Sequence, residues 1–388
     1  MNTEEKRYNL KHEPESEMKI RGFLAQIGTP KELVRFLKNK GNNHRRYFHY
    51  TGLESLVCML EHKTFRMAWA NSGAVNDLQE KELAGTQASR SHLYTGSFGY
   101  GAMERVAMWG LYGQPREMAV RILIPQAKMT EWVKRLNIKE WQDKIRPASD
   151  NSEDEIKMEV IHKFINQFYR TDMLYVRPMR DDGKVLDRKG WPFFALRWLS
   201  VQHDFELQDN SEISTMFKHL GDYPLRNNLF SGIVKHQCWE YEQEVRLVMK
   251  IHESSNESED GLNVPDKIDI PVPKEILQSM LFCWGPNVDV PQMKRIEELI
   301  EAILGPLPEE DSETRKVRFD NSPRERFCPS LVKDKLQYRI DDVGSIWPEN
   351  PDMRDTMGKF RQFIVREKLE ALIRRLEAVL EMKRRGEW

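Results

Sequence analysis

Cysteine is scarce in this chain. Only Cys58, Cys238, Cys283 and Cys328 occur among 388 residues, far apart and without a Cys-x-x-Cys pair. That scarcity excludes a zinc ribbon and a disulfide framework, and it fits a reducing, cytoplasmic setting. No apolar run approaches the roughly 18 residues that a membrane span needs, and no signal-peptide pattern opens the chain. The expectation is a protein without membrane contact. An excess of either charge is missing too: 60 Lys and Arg stand against 61 Asp and Glu, for a formal net charge of -1. A uniformly basic nucleic-acid surface is therefore not expected, although charge can still be segregated locally. There is no internal repeat, no low-complexity tract and no βαβ repeat with a glycine-rich turn, which argues against a Rossmann fold.

What is present suffices for a sizeable core. Hydrophobic residues make up 39 % of the chain, with ten Trp and seventeen Phe, while 31 % charged residues leave long exposed segments. These proportions suit one large domain with extensions. The expected organisation is a polar N-terminal extension over 1–44 with a short helix near Pro30, an α+β catalytic-like domain over 45–305, an irregular connector over 306–352, and a basic amphipathic helix over 353–388. The terminal helix carries Phe360, Ile364, Leu369, Leu372, Leu376 and Val379 as an apolar stripe. It needs a partner surface, either the body of the same protein or another protein.

Within the central region, short strands are expected at Arg46 to Thr51, Thr64 to Trp69, Leu93 to Gly101, Met118 to Ile124, Ile268 to Val272 and Leu281 to Gly285. Helical spacing follows Gly52, runs from Met103 to Tyr112, and returns after Pro291. Residues 128–170 read as mainly helical around an acidic loop from Asp150 to Glu155. Asp181 to Gly183 looks like a hairpin turn between Leu174 to Val176 and Val185 to Asp187. The fold class is α+β, with mixed small sheets and surrounding helices.

The densest chemistry lies in Cys238 to Lys250. Read as one strand, it places Glu240, Glu242, Glu244 and Arg246 on one face and Trp239, Tyr241, Gln243, Val245 and Leu247 on the other. Three carboxylates side by side require either full solvation or a cation against them, and Arg246 neutralises only part of that charge. A solvated edge strand and a functional cleft are the two readings.

Several motifs follow one another along the chain: Tyr47-Phe-His-Tyr; Asn76-Asp77 with Glu80; Ser97-Phe98, then Met108-Trp109 and Tyr112; Trp239 to Arg246; and Ile270-Pro-Val-Pro before Gly285. In this order they resemble a family of bacterial proteins known only as a domain of unknown function, over roughly residues 46–290. The usual family form has Pro after Asn-Asp, where this chain has Leu78. More loosely, an aromatic-His-Tyr first strand, a Ser-Phe strand and a late Glu-x-Glu strand are similar to NAD-dependent ADP-ribosyltransferases.

That likeness implies an ADP-ribosyltransferase-like core with a helical C-terminal extension, NAD as substrate, and a macromolecular target, RNA, DNA or protein. It also implies a role as a toxin or phage-defence effector. Carried over by residue, His49 would hold the NAD ribose or amide, Ser97 would support the site, and Tyr50 or Tyr112 would stack near nicotinamide. Asn76 and Asp77 would join the cofactor-binding loop. Glu244 would stabilise the oxocarbenium-like charge and Glu242 would act as general base. No metal is implied. Each residue also has a plainer use: His49 as a core histidine, the tyrosines as packing, and Asn76 and Asp77 as caps after a Ser-Gly turn. Two other functions fit the same residues. One is a metal-dependent phosphodiesterase or nuclease in which Glu240, Glu242, Glu244 and Asp77 gather a cation. The other is a non-enzymatic ligand-sensing adaptor.

Overall fold

The computed structural model describes residues 30–70, 93–101, 104–113, 115–149, 151–176, 233–251, 264–288, 292–308, 326–330, 332–333 and 351–388. Asn76, Asp77, Glu80 and the turn at Asp181 to Gly183 lie outside them. The chain enters through helix α1 (Pro30–Asn42), strand β1 (Arg46–Gly52), α2 (Leu53–His62) and β2 (Thr64–Trp69). Next come β3 (Leu93–Gly99), α3 (Val106–Tyr112), β4 (Ala119–Pro125), α4 (Gln126–Leu136), α5 (Lys139–Gln142), β5 (Arg146–Pro147) and α6 (Ser152–Phe164). Then follow β6 (Ile165–Asp172), β7 (Leu174–Val176), β8 (Val234–His236), β9 (Glu244–Ile251), β10 (Lys267–Pro271), α7 (Lys274–Gln278) and β11 (Leu281–Trp284). The last elements are α8 (Met293–Leu304), β12 (Phe327–Cys328) and α9 (Pro351–Arg384).

Among the described residues, ten strands form one mixed sheet rather than several small ones, and β7 and β8 form a separate parallel pair. The main order is β12-β11-β4-β1-β3-β2-β10-β5, with β9 and then β6 on the other side of β3. Strand β3 is the hub. One of its edges is paired with β9 along its whole length, from Leu93↔Lys250 to Gly99↔Glu244. Its other edge is shared, with Tyr94 and Thr95 paired to β2 and Gly99 paired to Phe48 of β1. Between those contacts β1 and β2 diverge and leave a fork at Gly96 to Phe98.

Alternation along the strands sorts side chains into two layers. On one face Tyr47, Phe98, Val120, Ile122, Val245, Leu247 and Phe282 join the large core under α2, α4, α7, α8 and α9. On the other, Phe48, Tyr50, Leu123, Leu281 and Cys283 pack beneath Met108 and Trp109 of α3. Helix α9 docks through Val365, Leu369, Leu372, Leu376 and Val379, spaced alternately by four and three, onto that large core. Arg375 reaches Glu61 at 2.5 Å, Arg295 donates to Glu377 at 3.0 Å, and the Trp388 indole donates to the Leu60 carbonyl at 2.8 Å. Ile364, expected in the stripe, is exposed. No helix among the described residues is long and apolar enough to cross a membrane.

Four local readings of the sequence are corrected. Residues 238–250 are not one strand: Gln237–Glu242 is a 3-10 helix, and β9 begins at Glu244 after Gln243 turns into the left-handed region at φ 41°. The stretch 128–170 ends in strand β6, whose Phe168 is pinned at both its N–H and its carbonyl by the Asn137 side chain. The acidic loop is largely the first turn of α6, where Asn151 caps the Glu153 N–H and the carboxylates of Glu153, Asp154 and Glu155 oppose the helix dipole. Finally, the connector after α8 contributes β12, which pairs in parallel with β11.

The fork depends on Gly96, because a Cβ there would stand 2.7 Å from Cε1 of Phe65. That ring is fixed between Phe98 and Trp132, with centroids at 5.1 and 5.6 Å, so it cannot yield cheaply. Gly96→Ala is expected to cost about 1–3 kcal/mol through overpacking, read as a lower urea midpoint at unchanged slope. An unchanged or raised midpoint would show that the ring yields.

Candidate functional site

Two carboxylates meet at the end of β3, although not by strand alternation. The left-handed turn at Gln243 swings Glu242 back toward Glu244, and both side chains close on one ammonium. Lys235 Nζ lies 2.5 Å from Glu242 Oε2 and 3.1 Å from Glu244 Oε2. It comes from β8, outside the main sheet, and stands 5.0 Å from the Trp239 ring centroid. The other carboxylate oxygen, Glu244 Oε1, accepts from Ser97 Oγ at 2.5 Å and from Arg246 Nε at 2.8 Å. Glu242 Oε1 accepts from the Tyr112 phenol at 2.7 Å. Lys235, Glu242, Glu244 and Arg246 are 4 %, 2 %, 3 % and 4 % exposed. The carboxylates are thus buried and paired, and Lys235 and Arg246 are the cations that the repulsion demands.

These surroundings pull the two carboxyls in opposite directions. For Glu244, burial works against ionisation, but the charges of Arg246 and Lys235, with hydrogen bonds from Arg246 and Ser97, hold it well below the ordinary carboxylate range. Burial raises Glu242, the neighbouring Glu244 charge adds to that, and together they outweigh Lys235 and Tyr112. Such a pair separates one carboxylate that favours the ionised form from one that takes a proton more readily. Burial would lower Lys235, yet the charge of Glu244 and then of Glu242 raises it overall, against the opposing effect of Arg246.

His49 approaches the same strand from its other face. Its ring meets Phe65 and Phe98 with centroids 5.0 and 5.6 Å away, while Nδ1 lies 3.0 Å from the Ser97 carbonyl oxygen. A carbonyl only accepts, so Nδ1 carries the proton. Burial lowers the ring's affinity for a second one, against a smaller raising effect of the Ser97 carbonyl, and Nε2 is left as an acceptor. Ser97 therefore joins two other expected residues: its backbone holds His49 and its hydroxyl holds Glu244. Tyr112 joins them through Glu242. Tyr50 sits apart, buried at 4.9 Å from Trp109, its hydroxyl accepting from the Arg105 N–H at 3.3 Å and from Arg121 at 3.4 Å.

Lys235 and Arg105 went unnoticed in the sequence. Arg105 Nη1 donates to the Glu242 carbonyl at 2.8 Å, and Nη2 donates to the Tyr100 carbonyl and to Gln243 Oε1. Neither residue lies in a recognisable motif. For Lys235 the one sequence signal is that a buried acidic pair must find a cation somewhere, and Arg105 has none. Among the described residues, no three His, Cys, Asp or Glu side chains are grouped to hold a metal ion. No family model, curated protein or solved structure matches the chain.

The lysine's worth can be read from stability. Its folded-state pKa is raised, so its contribution is complete below the unfolded lysine value and is lost only as pH rises through the folded one. Lys235→Met, which removes the counter-ion that the two carboxylates share, is expected to cost about 3–5 kcal/mol at pH 7. The loss should shrink at pH 5, where Glu242 takes a proton more readily. Urea unfolding of both proteins at the two pH values measures it, and a loss that grows toward pH 5 would contradict the assigned charges.

Proposed function

We propose that the chain is an NAD-dependent ADP-ribosyltransferase with an ADP-ribosyltransferase-like core, acting in the cytoplasm on RNA, DNA or a protein, as a toxin or phage-defence effector. The observation that carries this reading is the 2.5 Å bond from Ser97 Oγ to Glu244 Oε1, made beside a strand fork that also holds His49. A carboxylate kept ionised and fixed in direction is what an oxocarbenium-like transition state needs. In the reaction the C1′–N bond of NAD breaks and its electron pair leaves with neutral nicotinamide. The ribosyl carbon then bonds to a nucleophile of the target. The nucleophile's proton passes to Glu242, the carboxylate whose surroundings favour taking one.

A second reading, a non-enzymatic ligand-sensing adaptor, is favoured by one observation: Glu244 is 3 % exposed and held by Ser97, Lys235 and Arg246 at once. The metal-dependent phosphodiesterase reading has less support. The two carboxylates that would share an ion share Lys235 instead, and Asp77 lies outside the described residues.

Glu244→Gln separates the first two. Nicotinamide release should fall by about 100-fold to 1,000-fold. The sequence alone suggests that the fold tolerates the substitution, because Gln keeps the shape and one acceptor oxygen and removing one of three neighbouring carboxylates relieves repulsion. The buried bonds to Arg246 and Lys235 imply instead a stability loss of about 1–3 kcal/mol, so thermal melts must accompany the rates. Equal release by a folded Glu244→Gln protein and its parent would remove this residue from the chemistry, and a parent that binds NAD without releasing nicotinamide would favour the adaptor.

A further inference from the structure

Gln243 is one of two described non-glycine residues with positive φ, and it stands between the two carboxylates. A left-handed glutamine persists only where its neighbours over-determine it. Here they do. Tyr100 N–H donates to the Gln243 carbonyl at 3.2 Å, and the Arg105 guanidinium spans the turn, holding the Glu242 carbonyl, the Tyr100 carbonyl and the Gln243 side-chain oxygen together. The chain leaves room for that fork. A Cβ at Gly99 would stand 3.0 Å from Arg105 Nη1, and one at Gly101, itself at φ 97°, would stand 3.3 Å from Nη2. The arginine is anchored in turn. Its own N–H donates to Tyr50, and Glu104 beside it accepts from Trp109 at 3.2 Å and from Ser330 at 2.5 Å.

We propose that Arg105 is a positioning residue for the carboxylate pair: by clamping the left-handed turn at Gln243 it directs Glu242 and Glu244 onto the single ammonium of Lys235. Arg105 donates to two backbone carbonyls and to the Gln243 amide oxygen, so it acts through the turn. Its effect on rate rests on the transferase reading, whereas its effect on geometry does not.

The test uses the full chain with Arg105→Ala and Arg105→Lys, each alone and combined with Gln243→Gly. Glycine adopts positive φ without a clamp, so it should restore what the arginine supplies, which a residue serving only general stability would not allow. Two readings are taken. One is nicotinamide release from NAD. The other is the 15Nζ resonance of the Lys235 ammonium, which burial and two carboxylates protect from exchange. Arg105→Ala should lower kcat by about 10-fold to 100-fold, the range for residues that orient others, and change KM for NAD by less than about 3-fold. It should also erase the Lys235 resonance. Arg105→Lys, lacking the planar fork, should fall with it. The added Gln243→Gly should recover the resonance and part of kcat. If Arg105→Ala does not fold, the lysine pair carries the same comparison. A folded Arg105 variant with parental resonance, or a lost resonance that Gln243→Gly does not recover, overturns the proposal. A parent that releases no nicotinamide defeats the transferase reading alone, because the resonance still decides the role of Arg105.

Discussion

One buried ammonium organises the end of the sheet. Two carboxylates separated by a single residue repel strongly once water is withdrawn, and neither can be buried charged without a counter-ion. Lys235 supplies it from an element outside the main sheet. In doing so it makes the β7–β8 ribbon, the 3-10 helix and the first residue of β9 one electrostatic unit. Ser97 and Arg246 complete that unit from within the sheet. The path of the chain conforms to it: an uninterrupted strand would have sent Glu242 along the pleat, and the turn at Gln243 sends it to the lysine.

The sheet adds rigidity on one side and an opening on the other. Full pairing of β3 with β9 fixes the axis on which Ser97 and Glu244 sit, while the divided pairing of its opposite edge leaves backbone groups that the ladder does not claim. His49 takes one of them, the Ser97 carbonyl. Polar groups on both faces of one strand are thereby coupled through a single serine, and movement of β1 would be felt at the carboxylates without any direct contact.

Much of this architecture could be read from residue patterns, and the exceptions share a cause. Strands β1 to β4 and β10 to β11, the helix after Gly52 and the stripe of α9 were all legible because alternation or helical spacing reports burial on one face. Strand β6 was not. It follows α6 with no turn residue between them, and its middle is held at Phe168 by Asn137, a partner 31 residues away. The strand reading of 238–250 failed at Gln243, because apolar alternation continues through a residue whose type gives no sign of positive φ. At the site, Glu242 and Glu244 were picked out by their charge, and Ser97, Tyr112 and His49 by the resemblance that the order of motifs carries. Lys235 and Arg105 were not, since they are brought there by tertiary contact and by no local pattern.

Strand β3 has a further consequence for how the protein comes into being. Its long edge is covered by β9, and the Ser97–Glu244 bond spans 147 residues. During synthesis β1 to β4 therefore emerge with that edge bare, a row of unpaired amides of the kind that recruits foreign strands. Pairing across such a separation is slow to find. The buried ion cluster cannot exist until β9 arrives, because β9 carries Glu244.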